Sequence, residues 1–144
     1  MTAPPLAAGR HDVRVSTPDG SGTLAGAFET IGPWTGYFAE GATSSVFDTR
    51  LALMNPNPIP ANVDLRFLAT DGAVRTYSVI VGARARATLD VKTVPGMSVA
   101  EFSTTIASDI PVVADRTMTW DASRRYGAHA ETAIPSASPT WYLA

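Results

Sequence analysis

Asn62-Val63-Asp64-Leu65-Arg66-Phe67-Leu68, Thr70-Asp71-Gly72 and Val74-Arg75-Thr76-Tyr77-Ser78-Val79-Ile80-Val81 together decide the fold of this chain. Val63, Leu65 and Phe67 fall on one side of an extended backbone, with Asp64 and Arg66 on the other. That period of two marks a strand with one buried face. Asp71-Gly72 tolerates positive φ, so the two runs are expected to close as a β-hairpin. In the second run Tyr77, Val79 and Val81 share a face, and Ile80 opposite them predicts an outer side that is partly covered as well.

Working outward, the same pattern recurs in short runs separated by turn residues. Gly36–Glu40, Thr49–Met54, Arg86–Val91 and Phe102–Ser108 read as strands. Asn55-Pro56-Asn57-Pro58 ends one of them, because two prolines remove amide donors from the ladder. Ile110–Trp120 reads as the longest strand, with Val112, Ala114, Met118 and Trp120 forming an apolar stripe that Arg116 interrupts. Such a succession is the signature of an antiparallel sandwich, so the expected fold is an all-β immunoglobulin-like β-sandwich. Residues 1–33 are rich in Gly, Pro, Ala, Ser and Thr and read as an N-terminal arm with at most one or two short strands, or as the degenerate end of a preceding copy. The sandwich is then residues 34–144.

The two ends of the sandwich echo each other. Tyr37-Phe38-Ala39-Glu40-Gly41 matches Trp141-Tyr142-Leu143-Ala144, and Gly26-Ala27-Phe28-Glu29-Thr30 before Pro33 parallels Gly127-Ala128-His129-Ala130-Glu131-Thr132 before Pro135. A period of about 105 residues is the size of one small domain rather than of a solenoid unit. It implies one module of a tandem array or a subunit built like one.

With 144 residues the chain can bury a core without metal or disulfide. It has no cysteine, which removes thiolate zinc sites and cysteine nucleophiles. Eleven Lys plus Arg against thirteen Asp plus Glu, with Lys92 the single lysine, offers no basic face for nucleic acid. No apolar run is long enough for a membrane-spanning helix, and no membrane insertion is expected. Residues 1–10 lack the regions of a secretory signal, so a chain starting naturally at Met1 is not expected to leave the cell by a cleaved leader.

In order and spacing the motifs resemble a repeat module of large bacterial surface and secreted proteins, of the kind met in Chloroflexi, Actinobacteria and Acidobacteria. The residues that carry the resemblance are Tyr37–Thr43, Phe47-Asp48-Thr49, Leu51–Asn57, Val63–Leu68, Asp71-Gly72, Val94-Pro95-Gly96, Ser108–Arg116, Met118, Trp120, Gly127, His129 and Thr140–Ala144. Asp115, Thr119 and Ala128 depart from the module's usual Glu, aromatic and Gly. The resemblance implies an immunoglobulin-like sandwich, repeated and joined to other extracellular domains, with no enzymatic activity.

Among candidate site residues, Glu40 and Arg116 stand out, each in an apolar strand-like run where an unpaired charge is costly. They are expected to form a structural ion pair. Trp34, Tyr37, Tyr126, Trp141 and Tyr142 are candidates for an interface or for an aromatic platform that stacks on a cell-surface glycan. His11 and His129 lack metal-ligand company, and Asp48, Asn55 and Asn57 lack the dense acidic alternation of a calcium loop, so no metal or cofactor is expected. No serine sits in a nucleophile elbow and the carboxylates are scattered, so no catalytic residue is assigned.

The reading is a noncatalytic structural or adhesive module, extracellular or on the cell surface, whose partners are neighbouring copies of itself or a homo-oligomer. Residues 139–144 are expected beside the sandwich edge or against a neighbouring copy. The alternatives are a virion or filament coat subunit that assembles through its arm and C-terminal strand, and a carbohydrate-binding module.

Overall fold

The computed structural model describes residues 6–121 and 126–137. The chain divides into two units, Met1–Gly32 and Pro33–Ala144. Among the described residues the first unit is one antiparallel hairpin of β1 (Gly9–Thr17) and β2 (Gly20–Thr30). These strands are longer than the arm-like composition suggests. Val13, Val15, Leu24 and Phe28 alternate with small and polar residues at a period of two, and that pattern suffices for pairing.

The second unit contains β3 (Trp34–Phe38), β4 (Ala42–Thr43), β5 (Phe47–Asn55), β6 (Ala61–Ala69), β7 (Val74–Val81), β8 (Ala85–Asp90), β9 (Ala100–Ser108), β10 (Val113–Asp121) and β11 (Tyr126–Thr132). One sheet runs β11-β10-β5-β8 and the other β3-β9-β6-β7, with β4 also pairing on β9. All pairings are antiparallel. The inward rows Leu51 and Leu53 of β5, Val63, Leu65 and Phe67 of β6, and Ile106 of β9 form the buried core. Each such side chain contributes roughly 1.5–3 kcal/mol on burial.

The β6–β7 hairpin follows its sequence closely. β6 alternates buried and exposed at every residue. Leu65 faces Tyr77 and Val63 faces Val79 across the pair. In the turn, Gly72 takes φ 81°, Asp71 Oδ1 accepts from the Ala73 N–H at 2.8 Å, and the Gly72 N–H donates to Ala69 O at 2.9 Å. The outer side at Ile80 is not covered, since that residue is exposed.

Asn55-Pro56-Asn57 does more than stop a strand. The Asn55 side chain is fully buried; its Nδ2 lies 2.8 Å from Ile59 O, 3.1 Å from Val81 O and 3.0 Å from Gly82 O. Its Oδ1 accepts from Asn57 N and Nδ2, both at 2.9 Å, and Asn57 Nδ2 reaches Pro111 O at 2.7 Å. One amide therefore ties the crossing from β5 to β6 onto the end of β7, where backbone carbonyls would otherwise be buried without donors.

Candidate functional site

Arg116 occupies the inward row of β10, between Ala114 and Met118, and is 1% exposed. Three elements converge on its guanidinium. Nη1 donates to the backbone carbonyl of Glu40. Nη2 lies 2.9 Å from Glu131 Oε1 and 3.2 Å from His129 Nδ1, which must be the acceptor because arginine only donates. The guanidinium carbon stands 5.7 Å from the centre of the Phe38 ring, within cation–π range. Nε is buried and has no hydrogen-bond partner among the described residues.

The expected Glu40–Arg116 ion pair is therefore corrected. Strand β3 ends at Phe38, so the alternation that would turn Glu40 inward stops one step short and its side chain goes to solvent. Glu40 contributes its carbonyl, and the carboxylate partner is Glu131, directly opposite Arg116 in the β10–β11 ladder. The strand that carries Glu131 and His129 has no signature in the sequence because it shows no apolar alternation, with Gly127, Ala128 and Ala130 standing among Tyr126, His129, Glu131 and Thr132. The signal that could have found it is the Glu131-Thr132 repeat of Glu29-Thr30.

Beside this cluster, the Ala39-Glu40-Gly41 connector borders a groove of about 640 Å³ at one end of the sandwich. Phe47, Leu68, Phe102 and Met118 supply apolar walls, and Glu40 and Glu101 bring carboxylates. Gly41 is required by packing here, since a Cβ would stand 2.5 Å from the Phe102 ring. The groove suits an apolar group that carries a hydrogen-bond donor or cation.

The three described candidate aromatics do not share a face. Trp34 packs inward against the core. Tyr37 points outward from β3, opposite Thr105 of β9. Tyr126, 76% exposed, begins β11 in the other sheet. These three form no common glycan platform, because alternation and sheet membership separate them. Trp141 and Tyr142, with the terminal segment expected at the sandwich edge, lie outside the described residues. What precedes that segment does reach an edge: Ile134 and Tyr37 exchange backbone hydrogen bonds at 2.9 and 3.1 Å on the side of β3 away from β9.

The oxygens weighed for calcium are otherwise engaged. Asp48 pairs with Lys92 at 2.5 Å, and Asn55 and Asn57 bind one another and the backbone. Among the described residues, no group of three or more His, Asp or Glu is placed to hold a metal ion. His11 Nε2 lies 2.8 Å from Ala7 O and 2.9 Å from Thr30 Oγ1 within the first hairpin.

No protein-family model and no curated protein matches the chain. Solved structures do. Residues amounting to 73% of this chain superpose on 96% of Thermotoga maritima 1070 with a TM-score of 0.67 at 16% identity. The chain is an all-β antiparallel sandwich. The Anabaena sensory rhodopsin transducer is similar over 60% of this chain and 86% of its own, with a TM-score of 0.51 at 19% identity. At these identities the likeness concerns the fold of a β-rich domain.

Proposed function

We propose that the chain is a noncatalytic structural and adhesive module of a bacterial cell-surface or secreted assembly, acting by packing and strand pairing between neighbouring copies. The observation that carries this reading is the relation between its two hairpins. In β10–β11, Arg116 stands opposite Glu131; in β1–β2, Arg10 stands opposite Glu29. Each glutamate is followed by threonine and, three residues later, by proline, at Thr30 and Pro33 and again at Thr132 and Pro135. Both pairs approach as ion pairs, at 2.9 Å and 3.8 Å. At its Arg–Glu end the first unit thus repeats the pairing of the hairpin that closes the sandwich, and among the described residues it has no further strands to close upon. That is the arrangement expected of a module whose neighbours resemble it. The motif resemblance to modules of bacterial surface and secreted proteins supports this reading.

The test is protease treatment of intact native cells, followed by detection of the chain with an antibody to the sandwich. Loss of the signal from intact cells supports the reading, and a chain confined to the cytosolic fraction overturns it. The coat-subunit alternative uses the same strand-pairing physics and predicts instead that the chain copurifies with particles.

A further inference from the structure

Among the described residues, the β1–β2 hairpin leaves one edge and one face without a partner. β1 pairs with β2 along one edge, and no strand among the described residues pairs with the other. His11, Val13 and Val15 of β1 share a face with Leu24 and Phe28 of β2. That face is open to solvent, with Val15 61% and Leu24 67% exposed. A two-stranded hairpin alone in water is marginal at best and gains independent stability from further strands.

The free edge is built for pairing. The irregularity of the hairpin falls in β2, where Ala25, Gly26 and Ala27 lie opposite Asp12 alone. Gly26 adopts φ 60° there, and its N–H donates to Asp12 Oδ1 at 2.8 Å. β1 therefore keeps an unbroken alternation from Gly9 to Thr17. The corresponding edge of β10 is the one that pairs with β5.

We propose that β1 pairs antiparallel with β1 of a second copy of this chain, about a two-fold axis at Val13. The inference rests on the reading of the chain as a module that associates with its own kind, and it names the strand and the register. Val13 is the midpoint of Gly9–Thr17, so the two strands overlap along their whole length. Gly9 then faces Thr17 of the second copy, Arg10 faces Ser16, His11 faces Val15 and Asp12 faces Arg14. By symmetry the Asp12–Arg14 contact is made twice, once on each side of Val13. Sliding by two residues one way sets Asp12 against Asp12 and Arg10 against Arg14. Sliding the other way sets Arg14 against Arg14. Like charges directly opposite destabilise a sheet, and one-residue slips turn the apolar face over. The full-overlap register thus sets opposite charges against each other where its neighbours set like ones. Among the described residues Asp12 bonds only through Oδ1, to the Gly26 N–H, and Arg14 only through Nη2, to Ser21 Oγ at 3.2 Å, which leaves Asp12 Oδ2 and the rest of the guanidinium for it. The product is a four-stranded sheet β2-β1-β1-β2 whose apolar stripe runs from Leu24 through both Val13 residues to the second Leu24.

The chain contains no cysteine, which makes a direct test available. Under oxidation, full-length Val13→Cys forms a disulfide-linked dimer, because the axis sets the two positions face to face. Val15→Cys, set opposite His11, does not. In sedimentation across a dilution series the unmodified chain dimerises, Arg14→Asp weakens the dimer about tenfold or more, and Arg86→Asp in β8 leaves it unchanged. A chain that is monomeric throughout overturns the proposal. So does Val15→Cys cross-linking as readily as Val13→Cys, or Arg14→Asp associating as strongly as the unmodified chain. A monomer refutes this pairing wherever the chain resides, and a cytosolic location refutes the surface reading even if Val13→Cys cross-links.

Discussion

Glu131→Gln will destabilise the sandwich, whereas Glu40→Gln will leave it almost unchanged, although the two glutamates both touch Arg116. The Arg116 guanidinium is 1% exposed, so it depends on neighbouring acceptors and on one compensating charge. Glu131 supplies that charge at 2.9 Å, with its own side chain 40% exposed. Removing one partner of a fully buried pair costs about 3–5 kcal/mol. Water around the half-open Glu131 recovers part of this, and the glutamine oxygen still accepts a hydrogen bond, which brings the expected loss to about 1–2 kcal/mol. Glu40 meets Arg116 through its backbone carbonyl, which glutamine retains, so its replacement should stay within about 0.5 kcal/mol. Urea unfolding at constant slope measures both. A Glu40→Gln loss equal to or larger than that of Glu131→Gln would refute the assignment of the carboxylate partner. Arg116→Met combined with Glu131→Leu removes both charges together and should recover most of the single-variant loss, since an apolar pair leaves no orphaned ion.

Asn55→Ala removes the donors to the Ile59, Val81 and Gly82 carbonyls and the acceptor for Asn57; thermal unfolding should report a loss of about 3 kcal/mol or more. Asn55→Asp should be worse at neutral pH, because it turns a carboxylate oxygen toward three carbonyls. Asp109 accepts from the Asn62 side chain at 2.6 Å and from its N–H at 2.9 Å, and these bonds hold its carboxyl below the usual carboxylate range. Because its folded pKa is depressed, its stabilisation is complete above the ordinary aspartate range and is lost as pH falls through the lowered value. Asp109→Asn should therefore be less stable at neutral pH and lose less on acidification, as a pH series of denaturant midpoints will show; parallel curves for the two proteins would count against it. Gly127→Ala places a Cβ 2.3 Å from the Trp120 ring, so it should displace the ring, change the near-ultraviolet circular dichroism and cost about 1–3 kcal/mol.

Much of the sandwich was legible in local pattern. The β6–β7 hairpin could be read residue by residue because alternation, an Asp-Gly turn and β-branched residues all agree there. Strands β5, β8 and β9 were found within a few residues of their bounds, and β10 was found three residues too early, since Pro111 has no amide to offer the ladder. Two strands of the sandwich have no such pattern. β4 is only Ala42–Thr43, too short to show a period, and β11 carries Ala and Gly at positions where a larger residue would reveal its faces. The candidate site was half legible: the anomaly of Arg116 in an apolar stripe was plain, while its partner lay on the strand without a signature.

The sequence by itself determined that the chain is all-β, which faces of its main strands are apolar, and that its two ends carry related motifs, because periodicity and turn chemistry act over a few residues. Only the tertiary structure decided which acid meets Arg116, why Asn55 is buried, and that the exposed hairpin repeats the Arg–Glu pairing of the one that closes the sandwich. Those outcomes depend on where a strand stops and which strands become neighbours. A strand ending at Phe38 instead of Glu40 turns a carboxylate to solvent, and a ladder between distant segments puts Glu131 in its place, since a buried guanidinium is satisfied by whatever acceptor the register brings within reach.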